Sequence, residues 1–290
     1  MSSLIAILID ALAFGSVYAL VAVGFSIVLR ASRVAQFGAG YVGLLGAVMF
    51  GDVFSGLPSW IGLVLCAIVG AALGVGFYLV VVVVGRRLGA SDVQLSLACL
   101  AAGLLIGAIV DWSHDGGFFS AGAFVGGYFT IGSDAVLWNE VAIAAIGLAI
   151  LGLLCVIVTR TMLGKAMTAA AKAPDVADVS GLQTTRVVMA AWVLAGIVLM
   201  LAGALFGGLA PVSSTSAFPL AIRGFAGAVV GGVDSPAGAA LGALLLSVLD
   251  VLFIRYVNAS YDDMFIFGLL FVLLAIRPSG LRRGAALRLA

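Results

Sequence analysis

The stretch TRTMLGKAMTAAAKAPDVADVSGLQTTR, residues 159–186, separates two long apolar runs and decides how the rest of the chain is read. It carries six charged side chains, although only 9% of the 290 residues are charged: Arg160, Lys165, Lys172, Asp175, Asp178 and Arg186. The stretch is too polar to lie in lipid, and its alanines favour a helix. We interpret it as a compact, helical, mostly basic loop that docks a cytoplasmic partner.

The rest of the chain has the composition of a membrane protein. Hydrophobic residues make up 64% of the sequence, whereas a water-soluble domain of this length needs far more charge to cover its surface. The apolar runs are continuous and lack two-residue alternation, which favours helices over a barrel. We predict an all-α polytopic membrane protein with about eight or nine transmembrane helices, some short or broken. The predicted spans are 4–29, 41–54, 60–84, 93–110, 141–158, 187–208, 222–233, 237–254 and 261–276.

Basic residues alternate along this map. Twelve of the 14 lie in the connections 30–40, 85–92 and 159–186 and in the tail 277–290, whereas the opposite connections are acidic or neutral. Because basic loops remain in the cytoplasm, we predict an outside N-terminus, with the loop 159–186 and the C-terminus in the cytoplasm. Residues 1–290 are expected to form a single transmembrane domain that contains this loop.

Small residues are the second feature of the sequence. Several of the 39 glycines have the spacing that lets helix backbones approach closely in lipid, and this predicts a compact bundle. These pairs are Gly70/Gly74, Gly103/Gly107, Gly203/Gly207, Gly227/Gly231 and Gly238/Gly242. Three cysteines, Cys66, Cys99 and Cys155, lie inside apolar spans and are expected to be packing residues.

The motifs of common catalytic sites are absent from the sequence. His114 is the single histidine, which argues against a His-based metal site, and there is no nucleophile elbow of the form G-x-S-x-G. The pair Gly164-Lys165 is followed by Ala166 and lacks the preceding glycine of a phosphate-binding loop. We therefore predict that the chain is not an enzyme, and that any ATPase driving it is a separate polypeptide.

Five polar residues lie within or beside the apolar spans, and each is a candidate functional residue. They are Asp10, Gln36, Gln94, Arg223 and Asp250. The two aspartates are placed near span ends, where water or a neighbouring helix could surround them, and Arg223 lies where it could snorkel to the interface. The sequence shows no chain of acids typical of a proton relay, which argues against an ion-coupled secondary transporter.

The segment GFAGAVVGGVDSPAGAALG, residues 224–242, consists of two small-residue half-runs around a tight turn. A run of about 11 residues is too short to cross the hydrocarbon as a straight helix. The segment is therefore either broken backbone buried in the core or beside a pathway, or an ordinary tight helical hairpin.

Four stretches in the same order resemble the membrane-spanning permease subunits of branched-chain amino acid ABC transporters, the LivH-type group. The first, GSVYALVAVGFSIVLRASRVAQFGAG (residues 15–40), is similar to the opening G-S-x-Y-A-L-x-A-x-G block of that family. The second and third are GKAMTAAAKAPDVADVSGL (164–182) and FAGAVVGGVDSPAGAALGALLL (225–246). The fourth, YDDMFIFGLLFVLLAIRPSGL (261–281), ends with the family's R-P-x-G-L.

The chain departs from the family pattern at three places. Gln36–Gly40 stands where the family often has N-F-A-H-G, Thr168 replaces an arginine of the loop, and Asp234 replaces a glycine before the turn serine. These departures leave the substrate open. Branched-chain amino acids or related small polar solutes are the expected substrates, with urea, amides, organic acids or sugars as alternative substrates. An ATP-independent secondary transporter is the alternative class of protein.

The resemblance implies a division of labour among several subunits. This chain and a second permease, identical or paralogous, would form the pathway in the bacterial inner membrane. Two ATPase subunits would carry ATP and Mg²⁺, since no cofactor is expected on this chain, and an extracytoplasmic binding protein would deliver the substrate. The loop would act as a coupling element in a cleft of the ATPase. The predicted docking residues are Lys165, Ala170, Lys172, Pro174, Asp175, Asp178, Gly181 and Arg186.

Local signals predict two short helices in that loop. Pro174 suits a first helical turn, the nearby acids suit a helix N-terminus, and Gly181 suits a helix end. We therefore predict helices over about 164–172 and about 174–180. The pathway residues predicted alongside them are Ser16, Tyr18, Gln94, Ser96, Gly231, Gly232, Asp234 and Ser235.

Overall fold

A computed structural model describes residues 2–114, 116–131, 134–172 and 183–276. The chain is mostly helical within these ranges, and six helices are long and apolar enough to cross a membrane. They are α1 (Ser2–Ser32), α3 (Ser59–Arg87), α4 (Asp92–His114), α5 (Trp138–Arg160), α7 (Thr184–Gly207) and α9 (Pro236–Tyr256). The shorter helices are α2 (Ala39–Val53), α6 (Met162–Lys172), α8 (Ser214–Gly231) and α10 (Asp262–Ile276).

Helices α1 and α7 form the centre of the bundle. Helix α7 packs against α1, α2 and α3, while α1 also packs against α5, α8 and α9. Large side chains of these two helices, such as Phe25, Trp192 and Leu199, are fully buried in the bundle. By contrast, α3, α4 and α5 leave about two thirds of their membrane-length windows exposed. The hydrophobic side chains on these outer helices suit contact with lipid.

Glycines allow these helices to approach backbone to backbone. A Cβ on Gly203 would collide with the Gly43 carbonyl, and one on Gly70 would collide with the Gly196 carbonyl. In the same way Gly231 lies against the Gly238 carbonyl, and Gly242 against the Gly227 carbonyl. The prediction that the small-residue pairs mediate close packing is confirmed at these helix contacts.

Each predicted apolar span overlaps a helix of the structure, with one substantial difference in extent. Helix α8 begins at Ser214, about two turns before the predicted start of the span 222–233, and it is 18 residues long. Ser213 and Ser216 form a capping box at its start, so the serine-rich run that looks like a loop initiates the helix. At about 1.5 Å per residue the helix is roughly 27 Å long. The prediction that this apolar run is too short to cross the hydrocarbon as a straight helix was therefore wrong.

The segment 224–242 is a helical hairpin whose two arms are the end of α8 and the start of α9. Gly232 adopts a φ of 95°, which favours glycine, and the Ser235 hydroxyl accepts a hydrogen bond from Gly238 N at 3.2 Å. The hairpin is also buried, because most residues of both arms are inaccessible to solvent. Ser26 of α1 donates a 2.6 Å hydrogen bond to the carbonyl of Val233, which attaches the turn to the centre of the bundle.

The connection between α4 and α5 contains two short strands that the all-α prediction missed. Strand β1 (Tyr128–Ile131) pairs antiparallel with β2 (Asp134–Leu137), with Tyr128 opposite Leu137 and Ile131 opposite Asp134. Arg255 at the end of α9 donates a 2.8 Å hydrogen bond to Asp134, so the hairpin lies over the end of that helix. Four-residue strands are too short to give a clear alternating pattern in a sequence.

Candidate functional site

Helix α6 occupies the first part of the loop predicted to dock a partner. It spans Met162–Lys172 and includes the predicted helix 164–172. Gly164 and Met167 are buried on one side, and a Cβ on Gly164 would collide with the Val158 carbonyl. Lys165 is exposed. The helix is therefore attached to the bundle along one face and presents a basic side chain on the other.

The remaining docking residues are only partly described by the structure. Arg186 is exposed in the first turn of α7, which begins three residues earlier than the predicted span at 187. Ala170 and Lys172 lie in α6, in its last turn. Pro174, Asp175, Asp178 and Gly181, with the predicted helix 174–180, lie outside the described residues.

The predicted pathway residues lie at several separate places in the bundle. Ser16 is buried and donates to the Ala13 carbonyl at 2.8 Å, and Ser96 is buried and accepts a hydrogen bond from Ala35 N at 2.9 Å. Gln94 is exposed near the start of α4, where its side-chain oxygen accepts from Ser91 N at 2.8 Å. Its side chain serves the N-terminus of the helix rather than the interior of the bundle, and its part in a pathway stays a prediction.

The predicted turn residues form the end of the α8–α9 hairpin. Gly231 packs against the opposite arm, Gly232 makes the turn, and Ser235 caps α9. Asp234, the departure from the family pattern, is exposed. These residues have clear roles in building the hairpin, and their part in a pathway stays a prediction.

A buried group of charged residues joins four helices around Arg223. The guanidinium lies 3.6 Å from Asp250 of α9 and 2.9 Å from Asp263 of α10, and it also contacts Asp262. Tyr18 of α1 donates a 3.0 Å hydrogen bond to Asp250. We name these five residues the Arg223 cluster. It fixes α10 against α1, α8 and α9 through oppositely charged groups.

This cluster bears on three interpretations of the sequence and corrects that of Arg223. Arg223 does not snorkel to the interface, because its side chain is only 9% exposed and lies in the middle of α8. Asp250 is 1% exposed and contacts Arg223 of α8 and Tyr18 of α1, so of the two surroundings expected for it, water or a neighbouring helix, the structure shows the second. Three acids do come together in the fold, but they surround an arginine and do not form the chain of acids typical of a proton relay. Among the described residues no group of acids, histidines and cysteines is arranged to hold a metal ion. Asp262 and Asp263 were missed because they start a helix that reaches Arg223 only through tertiary packing.

Gln36 lies in the elbow between α1 and α2, residues 33–38. Both polar atoms of its amide are buried and lack a hydrogen-bond partner among the residues that the structure describes. Arg33 turns the backbone there with a φ of 59°. The next residue along, Phe37, packs against Phe25 and Phe225 with ring centroids 6.0 and 5.9 Å away.

A narrow cleft follows the elbow along α2. It is lined by Gly40, Gly43, Leu44, Phe206, Val212, Ser213, Ser216, Ala217 and Leu220, from α2, α8 and the end of α7 and its following loop. The backbones of α2 and α8 meet there, since a Cβ on Gly40 would collide with the Ala217 carbonyl. The cleft is therefore closed by direct contact between two short helices.

Membrane-length helices joined through small residues, with a polar loop between two of them, together define a multi-pass membrane protein. The sequence matches the family of branched-chain amino acid transport system permease components over residues 7–274. The chain belongs to this family.

Named relatives cover almost the whole chain. The high-affinity branched-chain amino acid transport system permease protein LivH of Salmonella typhimurium is 25% identical over 92% of this chain and 91% of its own length. The corresponding protein BraD of Pseudomonas aeruginosa is 26% identical over 94% of each chain. Among solved structures, PsaBC from Streptococcus pneumoniae in complex with Fab aligns with a TM-score of 0.49 and 14% identity, covering 93% of this chain and 91% of that one.

Proposed function

We propose that this chain is the membrane-spanning permease subunit of an ATP-binding-cassette importer for branched-chain amino acids or related small polar solutes. The observation that carries this proposal is the family match over residues 7–274. Relatives named for branched-chain amino acid transport, at similar length, support the substrate class. The chain would be a multi-pass protein of the bacterial inner membrane, with its N-terminus outside and its C-terminus in the cytoplasm.

The chain would provide half of a translocation pathway and no ATPase site of its own. A second permease subunit would complete the pathway, and two ATPase subunits holding ATP and Mg²⁺ would drive it. A binding protein outside the membrane would deliver the solute. Residues 1–290 form one permease domain in this proposal, and 159–186 is its coupling element. Switching between two arrangements of the helices would follow from the different affinities of those arrangements for the nucleotide states of the ATPase.

The geometry of α6 supports its role as a coupling element. The buried Gly164 and Met167 hold it against the bundle, so a force on the exposed side of α6 is transmitted to the helices that it contacts, α1, α5 and α7. Exposed Lys165 and Arg186 would then pair with acidic groups of the ATPase. A solvated linker would lack such attachment to the bundle.

Reconstitution tests this function. The chain is purified with its partner subunits, placed in proteoliposomes with ATP inside and the binding protein outside, and assayed for uptake of labelled leucine, isoleucine and valine. We expect uptake that requires ATP and all subunits. Replacing residues 170–178 with a Gly/Ser linker should abolish both uptake and substrate-stimulated ATP hydrolysis. Uptake by this chain alone without ATP would instead identify a secondary transporter.

A further inference from the structure

Gln36 is the one buried residue with an amide, hydroxyl or charged side chain that lacks any partner in the described structure, where the buried indole nitrogen of Trp192 is also unpaired. Ten polar or charged residues are buried there, and nine of them have at least one hydrogen-bond or ion-pair partner. Gln36 is 0% exposed, and neither its amide nitrogen nor its amide oxygen has a partner within the described ranges. Burying an amide group without a partner destabilises the folded state, so this residue is a poor choice for packing alone.

Several hydrogen bonds hold the backbone on both sides of Gln36. Ala35 N donates to Ser96 Oγ at 2.9 Å, and the carbonyl of Gln36 accepts from Ala39 N at 3.0 Å. Arg86 donates to the carbonyl of Ser32 at 2.9 Å just before the elbow. The elbow is therefore held in place from two neighbouring helices, while both polar atoms of the Gln36 side chain stay without a partner.

Irregular backbone is an independent feature of the same place. The elbow separates the apolar helices α1 and α2, and its residues Val34 and Gln36 are fully buried. Non-helical backbone among membrane-spanning helices is tolerated where protein encloses it or where it lines a cavity. Four residues further along the chain, Gly40 lines the narrow cleft between α2 and α8. The amide thus lies at a break between two helices, and the chain that follows it enters the seam between α2 and α8.

The surroundings indicate the chemistry of a ligand. A carboxamide both donates and accepts hydrogen bonds, so it fits a head group that carries an acceptor and a donor, such as the carboxylate and ammonium of an amino acid. The rings of Phe25, Phe37 and Phe225 pack together beside the elbow, with Phe25 and Phe225 centroids 5.0 Å apart. An apolar side chain next to such a head group would find apolar neighbours there.

We propose that the Gln36 amide is a binding contact for the transported solute, and that it hydrogen-bonds the head group of an amino acid with an apolar side chain as the solute passes the elbow. This inference rests on the proposed function. Passage requires α2 and α8 to separate, because their backbones are in contact at Gly40 and Ala217. In the closed arrangement the amide is left without a partner, and the solute supplies one.

Gln36→Met in the complete importer tests this inference. The substitution keeps the length of the side chain and removes both hydrogen-bonding groups. The matched control is Ser32→Ala, which removes a neighbouring buried hydroxyl that bonds within its own helix, to Val28 O at 2.8 Å. Uptake of labelled leucine, isoleucine and valine, basal ATP hydrolysis and apparent melting temperature are measured for the wild type and both variants.

We expect Gln36→Met to reduce uptake at low substrate about tenfold or more, with an equal or higher melting temperature. Ser32→Ala should keep uptake and basal ATP hydrolysis close to those of the wild type. The inference is overturned if Gln36→Met retains uptake within about twofold, or if its uptake falls together with its melting temperature. Absence of ATP-dependent uptake by the wild type would instead overturn the proposed function, and the inference with it.

Discussion

Replacing Arg223 with methionine is expected to destabilise the protein far more than a typical substitution of a charged residue. The side chain of Arg223 is 9% exposed and is the cation of a cluster with three aspartates from two helices. Methionine fills much of the same volume and carries no charge. The substitution removes the cation beside Asp250, which is 1% exposed and keeps contacts with the Tyr18 hydroxyl and the Asp262 carboxyl group.

The magnitude follows from which pairs are buried. Removing one partner of a buried ion pair typically costs about 3–5 kcal/mol, because the other charge stays buried without compensation. Asp250 and Asp262, with side chains 1% and 18% exposed, fall in this class. Asp263 is 57% exposed, so its pair adds at most about 1 kcal/mol. We therefore expect Arg223→Met to lower the free energy of unfolding by about 3–5 kcal/mol.

The assay compares two arginine-to-methionine variants in the same detergent. Arg255 is the control, since it makes a 2.8 Å contact with Asp134 but is 36% exposed. Arg255→Met should cost at most about 1 kcal/mol. Unfolding is followed by denaturant titration, with thermal aggregation on size-exclusion chromatography as a second readout. A cost for Arg223→Met no greater than that of Arg255→Met would refute the assignment of the Arg223 cluster as a buried structural element.

A double substitution separates loss of the pair from loss of side-chain packing. Asp250→Asn in the Arg223→Met background removes one of the carboxylates that the first substitution leaves unpaired. We expect the double variant to be more stable than the sum of the two single effects by about 1–3 kcal/mol, since the two residues are in contact. Additive effects would show that Arg223 and Asp250 are not coupled.

Two further predictions concern packing and orientation. Gly203→Ala should lower the free energy of unfolding by about 1–3 kcal/mol, because its Cβ would collide with the Gly43 carbonyl. In the control Gly268→Ala the new Cβ meets nothing within 4 Å, so the yield of folded protein on size-exclusion chromatography should not change. Equal yields of the two variants would contradict the helix contact at Gly203. Orientation is tested with single cysteines in a background without the native ones. Asp263→Cys should react with an impermeant maleimide added outside intact cells, whereas Lys165→Cys should react only after permeabilisation. The reverse pattern would contradict an outside N-terminus.

Much of the fold could be predicted because lipid imposes a simple rule on the sequence. Long continuous apolar runs become helices, so α1, α5 and α7 fall close to their predicted positions. The start of α8 could not be found in this way, because Ser213–Ser216 has the composition of a loop and begins a helix only through its capping hydrogen bonds. The short β1–β2 hairpin likewise lacks a periodic signal of sufficient length.

The polar sites were harder to predict because their members are far apart in the sequence. Arg223 and Asp250 stood out as charges in apolar segments, whereas Asp262 and Asp263 had the appearance of an ordinary helix start. Their pairing depends on how α10 packs against α8 and α9. Gln36 could be singled out as a polar residue beside an apolar span, but its lack of a partner is a property of the packed bundle.

Helix α8 contributes Arg223 to the Arg223 cluster and also packs against the elbow that contains Gln36, through Phe225 and Phe37. These contacts limit how the bundle can rearrange. Arg223 attaches α8 to α9 and α10, Phe225 packs on Phe25 of α1, and the turn after α8 accepts the hydrogen bond from Ser26 of α1. These attachments follow one another along the helix towards its C-terminal end. The contact of α8 with α2, by comparison, is a seam of small residues around Gly40 and Ala217, with no ion pair across it in the described structure. Separating α2 from α8 therefore costs less free energy than separating α8 from α1, α9 and α10. We expect the bundle to open between α2 and α8, just after the elbow, while α8 moves together with α1.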